Sequence, residues 1–107
     1  MDKIVKIVWI ESEHKGPILG GKEYTDDNSD VIVTLTDGKR YVATFFTYDN
    51  VKTLTEKSKR TGEWLSGKYF WASDMILIDR VDRNSIEAVI DELLKEGSFE
   101  QLFRRLE

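Results

Sequence analysis

Residues 31–47 read Val31-Ile32-Val33-Thr34-Leu35-Thr36-Asp37-Gly38-Lys39-Arg40-Tyr41-Val42-Ala43-Thr44-Phe45-Phe46-Thr47. Two β-branched, alternating runs flank Asp37-Gly38. That dipeptide favours a two-residue hairpin turn, whose residues both take positive φ. In the second strand Tyr41, Ala43 and Phe45 share one face; Val42, Thr44 and Phe46 share the other.

Upstream, Lys3 to Ile10 reads K-I-V-K-I-V-W-I. Almost no polar face remains, which predicts a strand buried on both sides or at the sheet centre. Glu11 to Asp30 is the irregular stretch. It holds the only proline, Pro17, and the acids Glu11, Glu13, Glu23, Asp26, Asp27 and Asp30 against Lys15 and Lys22. It reads as a long acidic loop, with room for a short strand at Ile18-Leu19 or Lys22–Tyr24.

Downstream, Thr47 or Asp49 can cap a helix running to about Arg60 and stopped by Gly62. Val51, Leu54 and Ser58 would face the core, and Glu56 would support Arg60 at i,i+4. Gly62 to Lys68 reads as a loop, and Met75-Ile76-Leu77-Ile78 as a strand. Asn84 with Glu87 forms a capping-box pattern. Ile86, Val89, Ile90, Leu93 and Leu94 then make a helical stripe ended by Gly97. Ser98 with Gln101 opens a last helix lined by Phe99, Leu102, Phe103 and Leu106. The expectation is a single α+β domain over residues 1–107. An antiparallel sheet of about four strands with a central hairpin carries helices on one face, and a helix pair ends the chain.

Composition narrows the chemistry. The chain has 107 residues, enough for one independently folding core. Cysteine is absent and histidine occurs once, which leaves little for thiol or zinc chemistry. The absence of disulfides favours a reducing compartment, and the apolar run before Glu11 is too short for a signal sequence, so the reading is cytoplasmic. No stretch reaches the length of a membrane span. A formal net charge of -4 opposes a primary nucleic-acid binder.

Several constellations invite chemistry and are outweighed. Asp26, Asn28, Asp30 and Asp37 sit at calcium-loop spacing, but Val31 takes the place of the turn glycine, and strand alternation follows. Glu11, Glu13 and His14 lie together without a second histidine. Lys15–Lys22 lacks the Gly-Lys-Ser/Thr ending of a phosphate loop. Ser66, Ser73 and Asp74 have no nearby histidine to activate a serine. No cofactor is implied.

Ring density remains. The chain has 3 Trp, 4 Tyr and 5 Phe, and Tyr41, Phe45, Phe46, Tyr48, Trp64, Tyr69, Phe70 and Trp71 crowd one segment. Two strands and a helix cannot hide them all, and Trp and Tyr are frequent interface anchors. The segments Tyr41–Asn50 and Gly67–Met75 look like those of small uncharacterised bacterial proteins of about this length. In size, charge and composition the chain is similar in character to immunity proteins of bacterial toxin systems. That resemblance implies a protein-blocking role and carries over no residue.

The favoured reading is therefore a protein-binding module of the immunity-inhibitor kind. Glu13, Asp26, Asp27 and Asp30 would steer a basic partner, and Trp64, Tyr69 and Trp71 would anchor it. The alternative is a small-molecule or enzymatic pocket lined by Tyr48, Trp64 and Trp71. A second alternative is a single-stranded nucleic-acid site built on Lys52, Lys57, Lys59 and Arg60 beside the rings. Homodimerisation through Met75–Ile78 or the last helix is compatible with each.

Overall fold

The computed structural model describes residues 4–14 and 24–107. Its elements, in chain order, are β1 (Val5–Ile10), a 3-10 turn (Glu11–His14), β2 (Asn28–Leu35), β3 (Arg40–Thr47), α1 (Tyr48–Thr61), α2 (Glu63–Gly67), β4 (Met75–Ile78), α3 (Arg83–Glu96), α4 (Phe99–Leu102) and β5 (Arg104–Leu106). The architecture is α+β, as the hairpin and the two C-terminal helical patterns imply. The strands form one sheet in the order β1-β2-β3-β4, and β5 also pairs with β3. All pairings are antiparallel except β3 with β4. β4 runs beside Thr44–Thr47 and β5 beside Arg40–Val42, so the two short strands lie end to end along one edge of β3.

The β2–β3 hairpin forms in the expected register, with Val31 opposite Ala43 and Val33 opposite Tyr41. Its turn differs from the expected one. Only Gly38 takes positive φ (84°); the Gly38 N–H donates to Leu35 O at 2.9 Å, and the Lys39 N–H donates to the Asp37 carboxylate at 2.9 Å. This is a three-residue loop closed by a left-handed glycine, the next most common hairpin connection. Asp37 supplies a side-chain acceptor instead of a positive φ.

One face of the sheet is covered. Val31, Val33 and Leu35 of β2, with Tyr41, Ala43 and Phe45 of β3, pack under Ile86, Ile90 and Leu93 of α3. Phe99 and Phe103, four residues apart, stack at 4.5 Å, and Phe99 meets the edge of Tyr41 at 5.1 Å. Each such buried side chain contributes about 1.5–3 kcal/mol.

Three sequence expectations are corrected. β1 is not central. It is an edge strand whose Ile7 and Trp9 are exposed, because no strand pairs with its outer side among the described residues and α3 packs on its other face, against Val5 and Val8. α3 is capped by Asp82, not Asn84: the Asp82 carboxylate accepts from the Ser85 N–H at 2.8 Å, and Glu87 instead pairs with Arg83. The last helix stops after one turn. Phe103 turns to extended backbone, Leu102 is exposed, and Arg104–Leu106 becomes β5.

Candidate functional site

Helix α1 leaves the end of β3 without a break. The buried Thr47 hydroxyl caps it, accepting from the Asn50 N–H at 3.0 Å and from the Asp27 N–H at 3.2 Å. A polar knot builds on that cap. The Asn28 amide donates to Asn50 (2.9 Å), the Asn50 amide donates to Asp26 (3.0 Å), and the Thr53 hydroxyl donates to the other Asp26 oxygen (2.8 Å). Asparagine, aspartate and threonine suit this place because short polar side chains can satisfy the orphan N–H groups of a helix start.

The far end of α1 is more unusual. Gly62 closes the helix at φ 84°, its N–H donating to Ser58 O at 2.8 Å. The stretch expected to be a loop is instead a left-handed helical turn. Trp64, Leu65 and Ser66 take φ of 55°, 52° and 59°, and Gly67 follows at 81°. The Lys68 N–H donates to Trp64 O at 3.1 Å. Gly67 lies so close to α1 that a Cβ there would come within 2.4 Å of Thr55 O. Rings brace the turn: Trp64 lies 5.3 Å from Tyr69 and 5.0 Å from Phe70, and Phe70 meets Phe46 at 5.4 Å.

This scaffold holds apolar side chains out in water. Leu65 is 70% exposed, Trp71 61%, Tyr48 59% and Tyr69 49%. Of the three predicted anchors, Tyr69 and Trp71 are therefore accessible, while Trp64 is half-buried inside the ring cluster. Leu65 escaped the sequence reading. Its one signal is its place between Gly62 and Gly67, two residues suited to left-handed backbone. Lys52, Lys57, Lys59, Arg60 and Lys68 are exposed, and none has an ion-pair partner among the described residues. The expected Glu56–Arg60 pair is not formed.

The predicted acidic residues do not gather with the rings. Glu13 is gripped by Arg83 through two bonds, at 2.9 and 2.6 Å. Arg83 also holds Glu87 at 2.9 Å and Val8 O at 2.9 Å, so it ties the 3-10 turn, β1 and α3 together. The hydrogen bond from Arg83 holds the Glu13 carboxyl below its ordinary pKa, and the bond to Glu13 in turn raises that of Arg83. Asp26 sits in the polar knot, and Asp30 accepts from the Thr44 hydroxyl at 2.7 Å. Asp27 is bonded through its main chain to Thr47.

The remaining motifs resolve variously. His14 stacks on Trp9 at 5.1 Å. Asn28 and Asp30 of the calcium-like run lie in β2. Asp74 accepts from Arg104 at 2.8 Å. The phosphate-loop pattern and the short strand considered at Ile18-Leu19 or Lys22–Tyr24 involve residues outside the described ones. A cleft of about 210 Å³ lies between β1 and α3, lined by Val5, Val8, Glu87, Ile90 and Asp91, which are not the residues of the expected aromatic pocket. No family model matches this chain, and no curated protein or solved structure matches it either.

Proposed function

We propose that the chain is a protein-binding module, an inhibitor of the immunity kind, that seizes its partner with the α1–α2 arm. Tyr69 and Trp71 are the anchors, Leu65 is the tip, and Trp64 is the internal brace. The observation that carries this reading is the left-handed turn. Left-handed backbone costs about 1–2 kcal/mol per residue with a side chain. Here three such residues in a row present a leucine to solvent, where its burial returns nothing to folding. Backbone strain of this kind clusters at binding sites, where it presets geometry. Tyrosine and tryptophan on a rigid support bury large area with few rotors to freeze.

Charge enters from a different side than the sequence suggested. Glu13, Asp26 and Asp30 are engaged in bonds within the chain and act as scaffold. Beside the rings, among the described residues, five cations without an ion-pair partner (Lys52, Lys57, Lys59, Arg60 and Lys68) outnumber the acids Asp49, Glu56 and Glu63, so steering favours an acidic patch on the partner.

The test is affinity capture from native cells with the tagged chain, beside Trp71→Ala, Tyr69→Ala and a Lys57→Glu, Arg60→Glu pair. One stoichiometric protein is expected with the parent chain, lost with Trp71→Ala and weakened by added salt or by charge reversal. Equal recovery by all variants would remove this reading.

Exposed rings beside unpaired cations also fit a single-stranded nucleic acid. Titration with a short oligothymidine at low salt separates the two, since saturable quenching of tryptophan fluorescence is expected only for the second.

A further inference from the structure

Residues 4–10 read I-V-K-I-V-W-I, and no strand pairs with the outer side of β1 among the described residues. An apolar edge strand is a template for another chain, and folded proteins blunt such edges with a bulge, a lysine or a covering group. The register shows which main-chain groups of β1 face outward. The Leu35 N–H donates to Lys39 O on the β3 side of β2, and the Thr36 N–H donates to Ile4 O on the β1 side. Main-chain groups alternate sides along a strand. Odd-numbered residues of β2 therefore address β3, and even-numbered ones address β1. Ile7 and Trp9 stand opposite Thr34 and Ile32 and bond to β2, while Val8 stands opposite Val33. The N–H and C=O of Val8 consequently point out of the sheet edge.

Arg83 meets that carbonyl. Its guanidinium donates to Val8 O at 2.9 Å. An added strand would bring a main-chain N–H to the same oxygen at about the same distance, so the two compete for one place. The guanidinium is fixed there by two bonds to Glu13, at 2.9 and 2.6 Å, and by one to Glu87 at 2.9 Å. Glu13 lies in the turn that follows β1, and Glu87 lies in α3, so the clasp closes on the edge from two elements. The start of the strand is protected differently. Its register shifts between Val5 and Ile7, a bulge at the exposed Lys6. Bulge and lysine spoil the first half of the edge, and the second half, Ile7–Ile10, is left to Arg83.

We propose that Arg83 is an edge guard, whose guanidinium keeps β1 from pairing with β1 of a second copy. The second copy is the strand it excludes, because that strand carries the same unpaired main-chain groups and the same exposed Ile7 and Trp9. Two such edges placed side by side would satisfy the main chain and join two apolar rows in one step. The guard works without the α1–α2 arm, so its failure leaves the partner-binding reading untouched.

Arg83→Met tests this, since it keeps an unbranched stem and removes every donor. Sedimentation of the full chain over a concentration series should show the parent as a 12.5 kDa monomer. Arg83→Met should self-associate with a constant at least about tenfold higher, equivalent to roughly 1.4 kcal/mol. Asp82→Ala is the control for lost stability, because it removes the cap of the same helix and leaves Arg83 in place. It should stay monomeric, with urea melts to compare the two. Val8→Pro deletes an outward N–H and no bond of the native ladder, a place where an edge strand tolerates proline. Added to Arg83→Met, it should restore the monomer. Hydrogen exchange reads the edge itself: the Val8 amide should be unprotected in the parent and become protected as Arg83→Met associates. The proposal is overturned if Arg83→Met associates no more than Asp82→Ala, if Val8→Pro leaves that association unchanged, or if the Val8 amide gains no protection.

Discussion

Trp64, Leu65 and Ser66 hold positive φ with side chains attached, and Gly67 completes the turn in a place where only a hydrogen fits. The two kinds of residue make opposite predictions. Gly67→Ala adds left-handed strain and drives a methyl group into the Thr55 carbonyl, which belongs to helix backbone and cannot swing aside. A loss of about 2–4 kcal/mol is expected, from strain and overpacking together. Gly62 has a similar φ but nothing within 4 Å of its would-be Cβ. Gly62→Ala should therefore lose only about 1 kcal/mol. Leu65→Gly runs the other way. Relief of left-handed strain outweighs the greater freedom of glycine in the unfolded chain, and little burial is lost, so a gain of about 0.5–1 kcal/mol is expected. Thermal or urea melts of the three variants check the order. A Leu65→Gly protein that also loses partner binding would show stability and function opposed at one residue.

At the scale of elements, the N-terminus of α3 joins pieces distant in sequence. Asp82 caps it, and a bond from the Ser85 N–H holds that carboxyl below its ordinary pKa. Asp82→Ala should cost about 1 kcal/mol. Glu13 is likewise depressed by Arg83, whose own charge persists at every accessible pH. A carboxylate with a lowered folded-state pKa stabilises the fold above its unfolded value and loses that contribution as pH falls through the folded one. Stability should thus hold from neutral pH to about pH 5 as far as these groups govern it, then decline below about pH 4, near the ordinary carboxylate range. Melting temperature against pH, compared with a Glu13→Gln, Asp82→Asn double variant, measures this. The variant should start lower and fall less steeply in acid. The polar knot at the start of α1 is the second such joint. Asn50→Ala removes the acceptor of the Asn28 amide and the donor to one Asp26 oxygen, leaving Asp26 only Thr53, and should cost about 1–3 kcal/mol, with faster amide exchange expected in residues 26–30 and at the first turn of α1.

The whole molecule places its charges unevenly. Between Tyr48 and Trp71 five cations stand against three acids, on a chain with a formal net charge of -4. The acids lie largely in the other elements, where several are bonded to partners within the fold. Partner association through the α1–α2 arm should consequently slow as salt rises, since salt screens exposed charges farther apart than about 10 Å at about 0.1 M ionic strength. Stopped-flow rates at two salt concentrations would show it. Lys57→Glu with Arg60→Glu should lower the association rate, while Trp71→Ala should chiefly speed dissociation.

Patterns carried by neighbours in the chain were legible from the sequence. Alternation in Val31–Leu35 and Tyr41–Thr47, the place of the Asp-Gly turn though not its type, a cap at Thr47 or Asp49, the Gly62 and Gly97 stops and the Ile86–Leu94 stripe all express local stereochemistry. What depends on distant residues was not legible. The apolar β1 reads as a central strand because hydrophobicity records that a face is to be covered but not by what. Only the sheet order leaves it at the edge. The last helix breaks after one turn because its two phenylalanines reach the core in that turn and its final residues pair with β3, which no local pattern encodes. Acidic residues that looked available to a partner are bonded to Arg83, Asn50, Thr53 and Thr44, residues 14 to 70 positions away. The ring-rich segment was visible as composition. Which rings became core, brace or exposed anchor was decided by tertiary structure, through the close approach of Gly67 to α1 and the left-handed turn that precedes it.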